Sequence, residues 1–201
     1  MIVFTIIECM KIDNELLLDA YRNGYFPMAD QKNNNEIFFY STNNRAIFPI
    51  YEIKPPKSFI KFSKQNQFRT SINNNFEFVI KQCSNRTSTW ISNDIIDMYC
   101  ALHNSGYAHS IEVWKNDIIV GGLYGVSIRG AFFGESMFNT ISNVSKIAFY
   151  FLIEYLKSRK FILLDSQFIN DFTKQLGAIE ISMQEYMVLL KKAISLETTF
   201  K

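Results

Sequence analysis

Val144-Ser145-Lys146-Ile147-Ala148-Phe149-Tyr150-Phe151-Leu152-Ile153-Glu154-Tyr155-Leu156 spaces its apolar residues as a helix does, with Val144, Ile147, Ala148, Phe151, Leu152, Tyr155 and Leu156 at i, i+3, i+4, i+7, i+8, i+11 and i+12. One face of that helix is core, and Ser142 or Asn143 is placed to cap it. Phe161-Ile162-Leu163-Leu164 follows as a short buried strand and ends in Asp165-Ser166-Gln167. Upstream, Phe132-Phe133-Gly134-Glu135-Ser136-Met137-Phe138 also puts a carboxylate at the end of an apolar strand. An unpaired buried charge costs many kcal/mol, so Glu135 must be paired or sit at the mouth of a site. Two apolar strands that end in polar groups suggest one shared pocket.

The flanking chain supplies the other layers. His109–Trp114 and Asp117–Val126 read as a hairpin around Lys115-Asn116, and Ala131–Phe133 adds a strand. Asp13 can cap a helix over Glu15–Arg22 that stops at Gly24 and Pro27, and Ser92 a helix to about Asn104. Glu36–Tyr40 and Phe76–Lys81 read as strands, 49–56 as a connection and 84–88 as a loop. A short helix near Asn170–Leu176, a strand Ala178–Ile181 and a helix Gln184–Ala193 complete the chain. An antiparallel meander followed by helix, strand, helix and strand is α+β, in the manner of the acetyltransferase fold. Two units are expected: a small mixed N-terminal domain over 1–56 and an acetyltransferase-like (GNAT-like) domain over 57–201.

Composition narrows the function classes. No apolar run reaches the roughly 18 residues of a membrane span, and the first residues lack a signal-peptide pattern, so a cytoplasmic, membrane-free protein is expected. Cys9, Cys83 and Cys100 are far apart, and with two histidines they give no zinc spacing, so no metal is expected. Charge is nearly balanced overall, at +2, but Arg45, Lys54, Lys57, Lys61, Lys64 and Arg69 face only Glu52 over their stretch. If the chain after Pro55-Pro56 is helical, Lys57, Lys61 and Lys64 share one face. Charge alone leaves open a solvated face or a phosphate-binding stripe.

Several blocks occur in one order: Tyr21-Arg22-Asn23-Gly24-Tyr25-Phe26-Pro27, Thr89-Trp90-Ile91, His109-Ser110-Ile111-Glu112-Val113-Trp114, Gly121-Gly122-Leu123-Tyr124-Gly125-Val126, Phe133-Gly134-Glu135-Ser136-Met137-Phe138, Asn143, Ser145-Lys146 and Asp165-Ser166-Gln167. Together they resemble the bacterial leucyl/phenylalanyl-tRNA–protein transferases, over about residues 15–190. The resemblance implies an enzyme that moves Leu or Phe from its tRNA to the α-amino group of proteins beginning with Arg or Lys, marking them for degradation. It implies no metal or soluble cofactor, and a monomer whose N-terminal domain helps hold the tRNA. By the same resemblance Gln167, oriented by Asp165, contacts the incoming amine, and Glu135 binds or orients the reacting groups; with only Phe132, Phe133, Met137 and Phe138 around it and no charge partner among them, Glu135 is also the carboxylate expected to meet the acceptor's cation. Asp165 could instead be a cap or an ion-pair member at a strand end. The proton has three candidate exits: Asp165, water or the ribose hydroxyl.

Matching positions put Leu123, Phe132, Gly134, Met137, Leu152 and Leu156 at the donor pocket; the resemblance sets Trp90 against the terminal adenosine or the aminoacyl group, and in its context the stripe of Lys57, Lys61 and Lys64 reads as a contact with tRNA phosphates. Each apolar member could equally be ordinary core, and Tyr124 and Trp114 read as core. Met28 stands where the family usually has Trp, a poorer stacking platform. The rivals are a coenzyme A-dependent N-acetyltransferase and a non-catalytic tRNA- or N-terminus-binding module. The first needs a glycine-rich turn ahead of the long helix, where this chain has Asn139-Thr140-Ile141-Ser142-Asn143.

Overall fold

The computed structural model describes residues 2–4, 12–30, 36–65 and 67–201. A small antiparallel sheet of order β1-β3-β2 contains β1 (Ile2–Phe4), β2 (Phe26–Asp30) and β3 (Glu36–Ser41). The large sheet has seven strands: β4 (Asn44–Phe48), β5 (Arg69–Ile72), β6 (Ala108–Lys115), β7 (Ile118–Ile128), β8 (Ala131–Asn139), β9 (Leu163–Gln167) and β10 (Ile179–Ser182). Their order is β10-β4-β9-β8-β7-β6-β5, and every neighbouring pair is antiparallel except β8 and β9. The helices are α1 (Asn14–Arg22), α2 (Lys57–Gln65), α3 (Phe76–Ser84), α4 (Asn93–Asn104), α5 (Val144–Ser158), α6 (Asp171–Gln175) and α7 (Met183–Ile194).

Alternation along the strands explains the layering. Leu123, Phe132 and Leu164 face the core that α5 closes, while their neighbours Tyr124, Phe133 and Leu163 face a second core shared by α1, α3, α4 and α7. Both faces of the central strands are therefore covered, which accounts for their nearly unbroken apolar runs. The β6–β7 hairpin turns at Asn116 and Asp117, both at positive φ (50° and 59°), where short polar side chains tolerate the left-handed region.

Several expectations change. Phe76–Lys81 is not a strand but the start of α3. The Asn75 side chain accepts from the Phe78 N–H, and Phe76, Val79, Ile80 and Cys83 are buried at helical spacing. Near-continuous apolarity hid that period. Neither Ser142 nor Asn143 caps α5 through its side chain, since Asn143 enters the helix with φ at 66° and no cap bond. β8 runs on past Phe133 to Asn139, and β4, read with the N-terminal part, is hydrogen-bonded between β9 and β10 of the large sheet. Cys9 lies outside the described residues. Cys83 and Cys100 are free thiols, and no group of three or more metal-ligating side chains occurs among the described residues. Among the described residues, no helix is long and apolar enough to cross a membrane.

Candidate active site

β8 and β9 pair in parallel only from Ala131 with Leu163 to Phe133 with Asp165, and then part. Each strand carries an irregularity where it leaves its partner. On β8, Tyr124 is opposite Ser136 and Gly125 opposite Gly134, so Glu135 is the extra, bulged residue. On β9, Ala46 is opposite Gln167 and Ile47 opposite Asp165, which leaves Ser166 unpaired. Bulges re-aim side chains, and here they turn Glu135 and Gln167 toward each other, with Gln167 Nε2 donating to Glu135 Oε1 at 3.2 Å. Gly125 is the enabling residue, because a Cβ there would lie 2.2 Å from the Phe133 carbonyl oxygen.

Asp165 is fully buried and fully engaged. Arg45, equally buried, donates from Nε at 2.9 and 3.1 Å and from Nη2 at 2.7 Å. The Tyr186 hydroxyl adds 2.7 Å and the Gln167 N–H 2.9 Å. Gln167 has φ at 54°, an uncommon conformation for a side-chain-bearing residue, and Asp165 Oδ1 pins its backbone there. Asp165 thus has no oxygen left for a substrate proton; its place in the network is to fix Gln167. Arg45, counted in sequence as part of a basic surface stretch, is instead a core cation, 4.7 Å from the ring centroids of Phe26 and Tyr186 and bonded to the Gly24 carbonyl.

Glu135 differs. It accepts 2.7 Å from the Tyr21 hydroxyl, which shares a 2.5 Å bond with the Tyr99 hydroxyl. No lysine or arginine forms an ion pair with it among the described residues. Burial pushes its carboxyl up to about 7, with the hydrogen bonds from Tyr21 and Tyr99 opposing the shift.

These groups head a cavity of about 570 Å³. Phe48, Leu123, Met137, Phe149, Leu152 and Leu164 form its apolar wall, Glu135, Ser136 and Gln167 its polar head, and Met28, Arg86, Trp90, Phe168 and Phe172 its outer part. Gly134 lines it as well, and a Cβ there would meet only ordinary contacts. Phe132 and Leu156, matched to the pocket in sequence, do not line it. Phe132 packs on Phe200 at 5.2 Å between centroids, and Leu156 is sealed in the core. Tyr124 reaches the cavity although it read as core, and its buried hydroxyl has no partner. Trp114 does not reach it, and its Nε1 donates to Ser71 instead.

Lys57 and Lys61 are exposed on α2, away from the cavity; the Lys64 side chain lies outside the described residues. Sequence reasoning missed Arg45, Tyr21, Tyr99, Tyr186, Phe48, Phe149 and Arg86. Tyr21 was inside a matched block, and Phe149 is one residue off the apolar stripe of α5; Arg45 carried no local signal.

An apolar-walled cavity with an amide and a carboxyl converging at its head is the form of a small-ligand or active site. The comparisons make this particular. The family model described as leucyl/phenylalanyl-tRNA protein transferase matches residues 47–191, and the model of that family's N-terminal domain matches 10–43. The chain belongs to this family. It is 44% identical to the leucyl/phenylalanyl-tRNA–protein transferase of Gloeobacter violaceus over 93% of this chain and 96% of that one. It is 42% identical to that of a Ruegeria species over 92% and 88%. Among solved structures, L-PGS from Bacillus licheniformis aligns at a TM-score of 0.49 with 11% identity, over 90% of this chain and 70% of that one, too distant to add to the assignment.

Proposed function

We propose that this protein transfers Leu or Phe from aminoacyl-tRNA to the α-amino group of proteins that begin with Arg or Lys, marking them for degradation. The observation that carries the mechanism is the head of the cavity. Glu135 and Gln167 meet there, and Asp165, neutralised by Arg45, holds Gln167 in place.

The donor side chain lies against Leu123, Met137, Phe149, Leu152 and Leu164. That wall is apolar enough for either residue, and Met137 is adaptable in shape. The ester is already activated, so the protein supplies proximity and charge stabilisation. The acceptor nitrogen attacks the ester carbonyl carbon, and Gln167 Nε2 turns from Glu135 to the developing oxyanion. The bond to the ribose oxygen then breaks, and the amine proton passes through Glu135 to that oxygen, leaving an amide and a free ribose hydroxyl. Glu135, the cavity carboxylate without a cationic partner, also draws the positively charged acceptor.

The catalytic part is acetyltransferase-like, a reading supported by the β6–β7–β8 meander, the α5 crossover and the parallel β8/β9 pair that splays at the site. The part that carries the small β1-β3-β2 sheet, ahead of β4, forms the smaller unit that assists tRNA binding, while β4 belongs with the large sheet; Lys57, Lys61 and Lys64 bind tRNA phosphates. The protein acts as a monomer. The test supplies purified protein with Leu-tRNA and with acetyl-coenzyme A, separately labelled, and an Arg-initiated peptide. Label from the tRNA is expected on the peptide; acetyl label there, or none, overturns the reading.

A further inference from the structure

We propose that Arg86 binds the phosphate on the 5′ side of the donor's terminal adenosine, an inference that rests on the transfer reading above. On that reading the cavity lining orders the donor from the inside outward. With the aminoacyl side chain on the apolar wall and the ester beside Glu135 and Gln167, the ribose occupies the outer cavity, and the phosphodiester one ribose further out lies at the mouth. A phosphate arriving near the Glu135 carboxyl needs a cation there.

Arg86 is the only lysine or arginine among the described residues that line the cavity. It stands on the loop between α3 and α4, exposed, and makes no ion pair among the described residues. Its position is nonetheless held, since Nη2 donates to the Met137 carbonyl oxygen and, at 3.3 Å, to Ser136 Oγ. Those bonds tie it to the strand that carries Glu135, so its distance from the reacting groups is set before the donor arrives. They leave Nε and Nη1 uncommitted, and a guanidinium offers five donors in a fork that matches phosphate oxygens. Arg45, Lys57 and Lys61 cannot serve: Arg45 is buried and neutralised by Asp165, and Lys57 and Lys61 are on α2 and do not line the cavity.

The test uses two minimal donors, 3′-O-phenylalanyl-adenosine and the same compound with a 5′-phosphate, with an Arg-initiated peptide as acceptor. Wild-type protein should favour the phosphorylated donor. Arg86→Ala should raise its KM about tenfold and affect the unphosphorylated donor far less, so that the preference disappears, and Arg86→Lys should recover part of it. Equal losses on both donors would show that Arg86 merely braces Met137, and no loss on either would remove it from the site; both outcomes overturn the proposal. A wild-type protein that transfers from neither donor nor from Phe-tRNA would instead sink the transfer reading itself.

Discussion

Replacing Asp165 by alanine should damage the fold as well as the chemistry. The carboxylate and Arg45 are both 0% exposed, so its removal leaves a buried guanidinium without a counter-charge, which costs about 3–5 kcal/mol. A domain holds a net stability of roughly 5–15 kcal/mol. With a urea slope of about 1–3 kcal/mol per molar, the unfolding midpoint should therefore drop by more than about 1 M. Gln167 also loses the acceptor that keeps its backbone at φ 54°, a conformation costing about 1–2 kcal/mol when unsupported. The two effects separate in a second variant, Arg45→Met with Asp165→Leu and Tyr186→Phe, which removes every charge and hydroxyl of the cluster. Breaking one partner of a buried pair is costly, whereas replacing all partners by apolar groups is often neutral. That variant should regain most of the lost stability yet transfer at least tenfold more slowly, about 1.4 kcal/mol or more, because Gln167 remains unpinned. Asp165→Ala with wild-type urea stability would refute the buried-charge argument, and wild-type transfer by the apolar variant would refute the positioning role.

Four further outcomes are expected. Leu152→Trp fills the cavity wall and should shift donor selectivity toward Leu, read as the ratio of Phe to Leu transferred; Leu156→Trp, which lies in the core, should lower stability instead. Replacing Lys57, Lys61 and Lys64 by Ala should reduce the slope of log affinity for tRNA against log salt by up to about 2, with the Phe/Leu ratio unchanged. His109 is buried against Phe200, and burial, with His103 adding to it, pulls its pKa down to about 3. Its folded value lies below the unfolded 6.5, so its contribution is present above pH 6.5 and is lost as pH falls toward 3, a slope in urea stability that His109→Gln should flatten. Glu135→Gln should raise the KM for Arg- and Lys-initiated peptides and abolish the rise of transfer rate through about pH 7, leaving only the acceptor amine's own titration near 8.

The fold was legible where the signal lay within one element. The Ser92 cap and the helical period of α5 rest on patterns within one element, and the structure has both, although Phe149 and Ile153 are buried on α5 where Phe151 and Tyr155 are only half-buried; the β6–β7 turn falls at Asn116-Asp117, one residue later than read. Phe76–Lys81 failed because alternation and helical spacing are both satisfied by a run that is mostly apolar. The helix is decided by Asn75, whose side chain caps it, and by the buried Glu112, which accepts from the Asn74 and Asn75 N–H groups at 3.2 Å. That carboxylate is 37 or more residues away along the chain, beyond the reach of any local pattern. The extension of β8 past Phe133 was hidden for a related reason: a bulge breaks the two-residue period at Glu135, where the strand becomes functional.

The two strand-tip carboxylates show the same limit at the site. In sequence, Glu135 and Asp165 look alike, each an acid closing an apolar run. What separates them is Arg45, 120 residues from Asp165 along the chain and brought to it by β4 pairing with β9. Once Arg45, Tyr186 and the Gln167 N–H have taken both Asp165 oxygens, that group is an anchor with nothing to offer a substrate. Glu135, placed by the bulge beside the Tyr21 hydroxyl and the Gln167 amide with no cation bonded to it among the described residues, is pushed by burial up to about 7, against the hydrogen bonds of the tyrosines. The position of a single arginine thus separates two carboxylates that look alike in sequence, one held in a buried ion pair and the other lining the cavity with no cation bonded to it among the described residues.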